Sequence, residues 1–169
     1  MEAIVEKAKI LIVDDNPKNV YSFRAILRAP GLELISANSG ESALQLLLAN
    51  PDVNLILMDA QMPGLDGFET TELIRGQPRF RDIPILFITA VYRSDEFARR
   101  GFEVGASDYI TKPVDGHVLS SKVAVFLTLE RQKRQLAREI AVRKRTEEGL
   151  EHLNRVLREI GRASRRERA

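Results

Sequence analysis

Three aspartates, a threonine and a lysine stand out by where they fall. Asp14 and Asp15 close the apolar run "KILIVDD" (9–15), and Asp59 closes "VNLILMD" (53–59). Thr89 lies near the end of "IPILFITA" (83–90), and Lys112 precedes Pro113 in "DYITKP" (108–113). A carboxylate at the tip of so apolar a run is costly unless something uses it. Three carboxylates brought together repel one another unless a cation sits among them. The chain has no cysteine and no histidine at these positions, so the donors are all oxygen, which suits Mg²⁺ or Mn²⁺ rather than zinc. An ammonium and a hydroxyl beside a metal-held carboxylate make a receptacle for a phosphoryl group. The cation and Lys112 would neutralise charge on its oxygens, and Thr89 would donate a hydrogen bond to one of them. Asp59 then becomes a nucleophile that forms an aspartyl phosphate.

Such a site needs strands whose tips converge. The apolar runs at 9–15, 32–37, 53–59, 83–90 and 108–113 read as five strands, separated by helical patterns with recognisable ends. Asn16 caps a first helix with Pro17 at its first position, and Pro30-Gly31 ends it. Ser39 caps a second that stops at Asn50-Pro51. Asp66 caps a third, a fourth stops at Gly105, and a last begins near Asp115. Five βα units with short connections imply a parallel sheet with helices on both faces. The flavodoxin-like strand order 2-1-3-4-5 is one of the two common arrangements, and it places ligands outside the carboxyl ends of the strands.

Four stretches, "LIVDDNP", "LILMDAQMPGLDGFE", "FITA" and "DYITKPVD", occur in order and at strand ends. Together they resemble the receiver domain of response regulators in two-component signalling, over about residues 8–128. The resemblance implies that Asp59 is the phosphoacceptor, fed by a histidine kinase. It implies that Asp15, Asp59 and the Gln61 backbone carbonyl hold Mg²⁺ directly, with Asp14 acting through water. Lys112 would pair with the phosphoryl oxygens, Thr89 would move toward them, and Tyr109 would swing inward behind it. The Lys112-Pro113 bond would be cis. Gln61 and Val91 occupy the positions that tune dephosphorylation in this family. Val91 cannot orient a water whereas Gln61 could, and a relatively persistent phosphoryl group is expected.

Two other functions compete. Mg²⁺-dependent aspartyl-phosphate phosphatases usually carry a second aspartate two residues after the nucleophile, where this chain has Gln61. A degenerate receiver serving only as a structural dimerisation module would not need the intact set Asp14, Asp15, Asp59, Thr89 and Lys112. His117 and His152 lack the surroundings of a kinase phosphoacceptor. No segment has the length and apolarity of a membrane span, no signal-peptide core is present, and a cytoplasmic location is expected.

The 169 residues carry a net charge of +2 that hides an asymmetry: about −5 over residues 1–130 and about +7 over 131–169. Residues 1–128 are expected to form the receiver domain and 129–169 a helical extension of the last helix into a long coiled coil with a frayed end. Phe126, Leu129, Lys133, Leu136 and Ile140 step by 3 and 4, as do Leu150, Leu153, Leu157 and Ile160. Between them Arg143 and Glu147 interrupt the seam, whose phase shifts as in a stammer or a break. A parallel homodimer is expected, with phosphorylation relayed along the last helix. The tail has no Phe, Tyr or Trp for stacking on single-stranded nucleic acid, and no helix-turn-helix is evident. An output domain is expected to be absent from this chain. A basic coil that binds nucleic acid or membrane is the remaining rival.

Overall fold

The structure, a computed structural model, describes residues 7–90 and 95–166; of residues 95–98 only the backbone is described. The elements run β1 (Ala8–Val13), α1 (Pro17–Ile26), β2 (Leu32–Ala37), α2 (Gly40–Ala49), β3 (Leu55–Asp59), α3 (Gly67–Arg75), β4 (Ile85–Thr89), α4 (Asp95–Glu103), β5 (Asp108–Thr111) and α5 (Gly116–Arg166). The five strands are parallel in the order β2-β1-β3-β4-β5, as expected. The chain divides into two compact units, Met1–Thr128 and Leu129–Ala169.

Side chains alternate across a strand, so the sheet sorts its apolar residues onto two faces. Leu11, Val13, Ile56, Met58, Ile85 and Phe87 pack with Ala43 and Leu47 of α2 and with Phe68 and Ile74 of α3. Ile10, Ile12, Leu55, Leu57, Leu86, Ile88 and Ile110 pack with Phe23 of α1 and with Leu119 and Val123 of α5. All five residues of β3 are buried, as are all five of β4, which is why these strands read as unbroken apolar runs rather than as alternating ones.

The helix starts follow the sequence. Asn16 accepts from the Lys18 N–H ahead of Pro17, and Ser39 and Ser42 close a capping box on α2. Asp66 and Glu69 do the same for α3, and Asp115 accepts from the N–H groups of His117 and Val118 at α5. The end of α1 differs. It stops at Ile26 with Leu27 as cap, three residues short of the Pro30-Gly31 stop. Pro30 has no N–H for the helix and disfavours helical geometry at Ala29, so the chain leaves early and turns through Gly31 at φ 77°. Strands β3 and β4 begin two residues later than their sequence patterns: the Lys9 N–H goes to the Asn54 side-chain oxygen instead of a β3 carbonyl, and Pro84 has no N–H to give.

Candidate functional site

The register of the sheet assembles the acids. Val13 pairs with Met58 on neighbouring strands, so the next residues, Asp14 and Asp59, fall side by side. Both continue the face that holds Ile12 and Leu57, which is the face covered by α1 and α5. Carboxylate oxygens of Asp14, Asp15 and Asp59 lie within 4.8 Å of one another. Asp14 and Asp59 are buried, at 1% and 5% exposure, while Asp15 reaches solvent. Strand β5 ends at Thr111, opposite Thr89 of β4, and the next residue supplies the cation. Lys112 Nζ donates to Asp59 Oδ2 at 3.2 Å and stands 3.6 Å from Asp14 Oδ2. The Lys112 N–H donates to the Thr89 carbonyl, the Lys112-Pro113 bond is cis, and Thr89 is buried.

Asp59 is held in an unfavourable state. Its carboxyl is pushed above its ordinary range, first by burial and then by the charge of Asp14. The Gln61 N–H, which donates to Asp59 Oδ1 at 3.2 Å, and the Lys112 ammonium pull the other way without cancelling it. A second cation would relieve what is left. Three clustered carboxylates, two of them buried, with a single ammonium against them, fit a hard divalent ion that takes oxygen ligands.

The backbone around Asp59 is fixed by a close approach. A Cβ on Gly67 would come 2.2 Å from the Asp59 carbonyl oxygen, so only glycine lets the start of α3 seat against the end of β3. The Gly67 N–H donates to the Ala60 carbonyl at 3.1 Å, closing the same corner.

Of the remaining positions named from sequence, Gln61 carries its side chain into solvent beside this corner. Tyr109 is 44% exposed and sits edge-on to Phe102, ring centroids 6.3 Å apart. Asp66 is a helix cap. Val91 lies outside the described residues. One group was missed: Asn19 of α1 donates its side-chain amide to both oxygens of Asp14, at 2.9 and 3.2 Å. No local signal marks it, because it stands in a polar stretch of α1.

A parallel five-stranded sheet with a buried aspartate, an acid pair and a lysine at its carboxyl edge defines a receiver-type fold. The chain belongs to the response regulator receiver domain family, whose profile matches residues 10–124. It is 41% identical over 118 residues to "Response regulator PleD" of Caulobacter vibrioides, covering 69% of this chain and 25% of that one. "Protein PilH" of Pseudomonas aeruginosa is 36% identical over 121 residues, covering 71% of this chain and 98% of that one. Among solved structures, chemotaxis protein CheY4 of Vibrio cholerae matches with TM-score 0.66 and 30% identity over 71% of this chain and 98% of that one. The chain thus spans about a quarter of PleD, and its likeness to these proteins is confined to the receiver portion.

Proposed function

We propose that this chain takes a phosphoryl group onto Asp59 from the phosphohistidine of a histidine kinase and passes the change into its last helix. The observation that carries this reading is the Lys112 ammonium 3.2 Å from a buried Asp59 that two further carboxylates crowd. Asp59 Oδ attacks phosphorus while the P–N bond of the donor breaks, and the imidazole leaves with its electron pair and is protonated. Lys112 stabilises charge on the phosphoryl oxygens, and the Gln61 N–H orients the attacking carboxylate. Asp14, Asp15, Asp59 and the Gln61 carbonyl would hold Mg²⁺ or Mn²⁺, which supplies further charge neutralisation. Thr89 and Tyr109 are the switch pair in this reading: the hydroxyl moves to the new oxygens and the half-exposed ring follows it inward. Turnover as a phosphatase is disfavoured by Gln61, which has no carboxyl to serve as acid or base. A cytoplasmic location goes with a kinase donor.

The relay is supported by the second unit. Helix α5 is one element from Gly116 to Arg166, and Leu129, Leu136, Ile140, Leu150, Leu153, Leu157 and Ile160 on it are each more than half exposed. Leucines spaced by 3 and 4 and left in water are the seam of a coiled coil lacking its partner. A parallel pairing of two copies covers them, and phosphorylation shifts the register or tightness of that pair. No described helix is long and apolar enough to cross a membrane.

Incubation of the full chain with Mg²⁺ and acetyl phosphate, followed by intact mass and light scattering, tests both parts. A gain of about 80 Da that Asp59→Asn abolishes supports the phosphoacceptor role. A scattering mass of two chains supports the pairing. No adduct with any donor, the fold being intact, would leave a structural module.

A further inference from the structure

We propose that Asn19 is a positioning residue for phosphoryl transfer, which keeps Lys112 on Asp59 by satisfying Asp14. The proposal rests on the reading of Asp59 as phosphoacceptor. Two buried carboxylates face one ammonium, and the margin between them is small: 3.2 Å to Asp59 against 3.6 Å to Asp14. Which carboxylate holds the lysine depends on what else each one has. Asp59 accepts one backbone N–H, from Gln61, at 3.2 Å. Asp14 accepts the Asn16 N–H at 2.8 Å on Oδ1 and the Asn19 amide on both oxygens. Both are buried, and Asp14 is the better supplied of the two with hydrogen-bond donors.

The backbone donor to Asp14 comes from its own turn. Asp14 bonds the N–H two residues on, an arrangement that an aspartate makes wherever a strand enters a helix. It would survive any side-chain change. The Asn19 amide is different, because it reaches Asp14 from α1, one turn beyond the cap, and among the described residues it is the hydrogen-bond donor to Oδ2. Oδ2 is also the oxygen nearest Lys112. Without Asn19 the neighbour of opposite charge left to that oxygen among the described residues is the Lys112 ammonium. Lys112 then moves toward Asp14 and away from the phosphoryl position, at the strength of a charge-assisted hydrogen bond. Asn19 thus acts on the reaction through Asp14 and Lys112 and touches neither the phosphoryl group nor its donor.

A double-mutant cycle on the full chain reads this out. Phosphorylation by acetyl phosphate at saturating Mg²⁺ is followed by intact mass in four proteins: unaltered, Asn19→Leu, Lys112→Met and the pair. Asn19→Leu should slow the reaction about 10- to 100-fold with Lys112 present, and should change nothing further in the Lys112→Met background. Asn19→Ser, which shortens the side chain out of reach of Asp14 and keeps a polar group on the helix, should show the same pattern if the leucine variant folds poorly. An equal slowing in both backgrounds means that Asn19 merely supports the fold, and it overturns the proposal, as does an unchanged rate with Lys112 present. Failure of the underlying reading looks different: the unaltered protein takes up no phosphoryl group, or Asp59→Asn still does.

Discussion

The core leucines of the first unit and the seam leucines of the second meet opposite fates. In Met1–Thr128, Leu11, Leu47, Leu55, Leu57 and Leu86 are at most 1% exposed. In Leu129–Ala169, Leu136, Leu150, Leu153 and Leu157 keep more than half of their surface in water. The first unit pairs each strand face with helices from its own sequence, so its stability is a property of one chain. The second has a helix whose apolar seam, interrupted at Arg143 and Glu147, has nothing among the described residues of that unit to lay against it. Helices gain most of their stability from packing one face, and in the single chain this seam stays in water. The charges divide in the same way: three acids are gathered at one corner of the first unit, while the second carries a net positive charge.

The sharpest way to break this contrast is at the acid corner. Asp59→Asn should abolish phosphoryl uptake altogether in the acetyl phosphate assay and leave the oligomeric state of the unmodified protein unchanged. If the asparagine variant still gained mass, the chemistry would not reside where the first unit concentrates it. Next come paired truncations of leucine. Leu57→Ala should lower the unfolding free energy of the first unit by about 2–5 kcal/mol in urea titration. Leu153→Ala should shift that transition by less than about 0.5 kcal/mol and appear instead as weaker self-association. A similar loss from both would mean that the seam is already packed within one copy.

Charge placed in the seam sharpens the point. Leu150→Asp combined with Leu157→Asp should raise the dissociation constant of the paired form about 100-fold or more in sedimentation equilibrium, with the melting of the first unit unaffected. The smallest expected effect concerns pH. Burial and Asp14 raise the Asp59 carboxyl above its unfolded value, so folding favours its protonated form. Metal-free stability should fall as pH rises from the ordinary carboxylate range through the raised value, and the full penalty applies above it. Asp59→Asn should therefore melt higher than the unaltered protein at neutral pH in EDTA. That difference should close in acid, and it should narrow when Mg²⁺ is added. A variant that melts lower at neutral pH would show that Lys112 outweighs the burial.

Much of this was legible in the sequence because each feature is signalled by residues close together in the chain. Apolar runs ended by Asp, Thr and Lys gave the strands and their working tips, and caps such as Asn16, Ser39 and Asp66 gave the helix starts. What was not legible depends on direction. Asn19 falls in a polar stretch of α1 and reads as a solvated position; that it turns inward to Asp14 follows only from how α1 lies on the sheet. The early end of α1 at Ile26 reflects the reach of Pro30 back along the chain, which a local stop signal understates. The exposure of Tyr109 and its edge contact with Phe102 depend on how α4 meets β5, and the spacing of β5 carries no trace of that.

Gly67 shapes what variation the chain can survive. Every other amino acid brings a Cβ that would lie 2.2 Å from the Asp59 carbonyl oxygen, whereas a Cβ at Gly149 would meet nothing within 4 Å. A library randomised at both codons and selected for phosphoryl uptake should return glycine alone at 67 and a broad spectrum at 149. Lineages can drift freely through Gly149, but they can leave the glycine at 67 only by rebuilding the corner around Asp59.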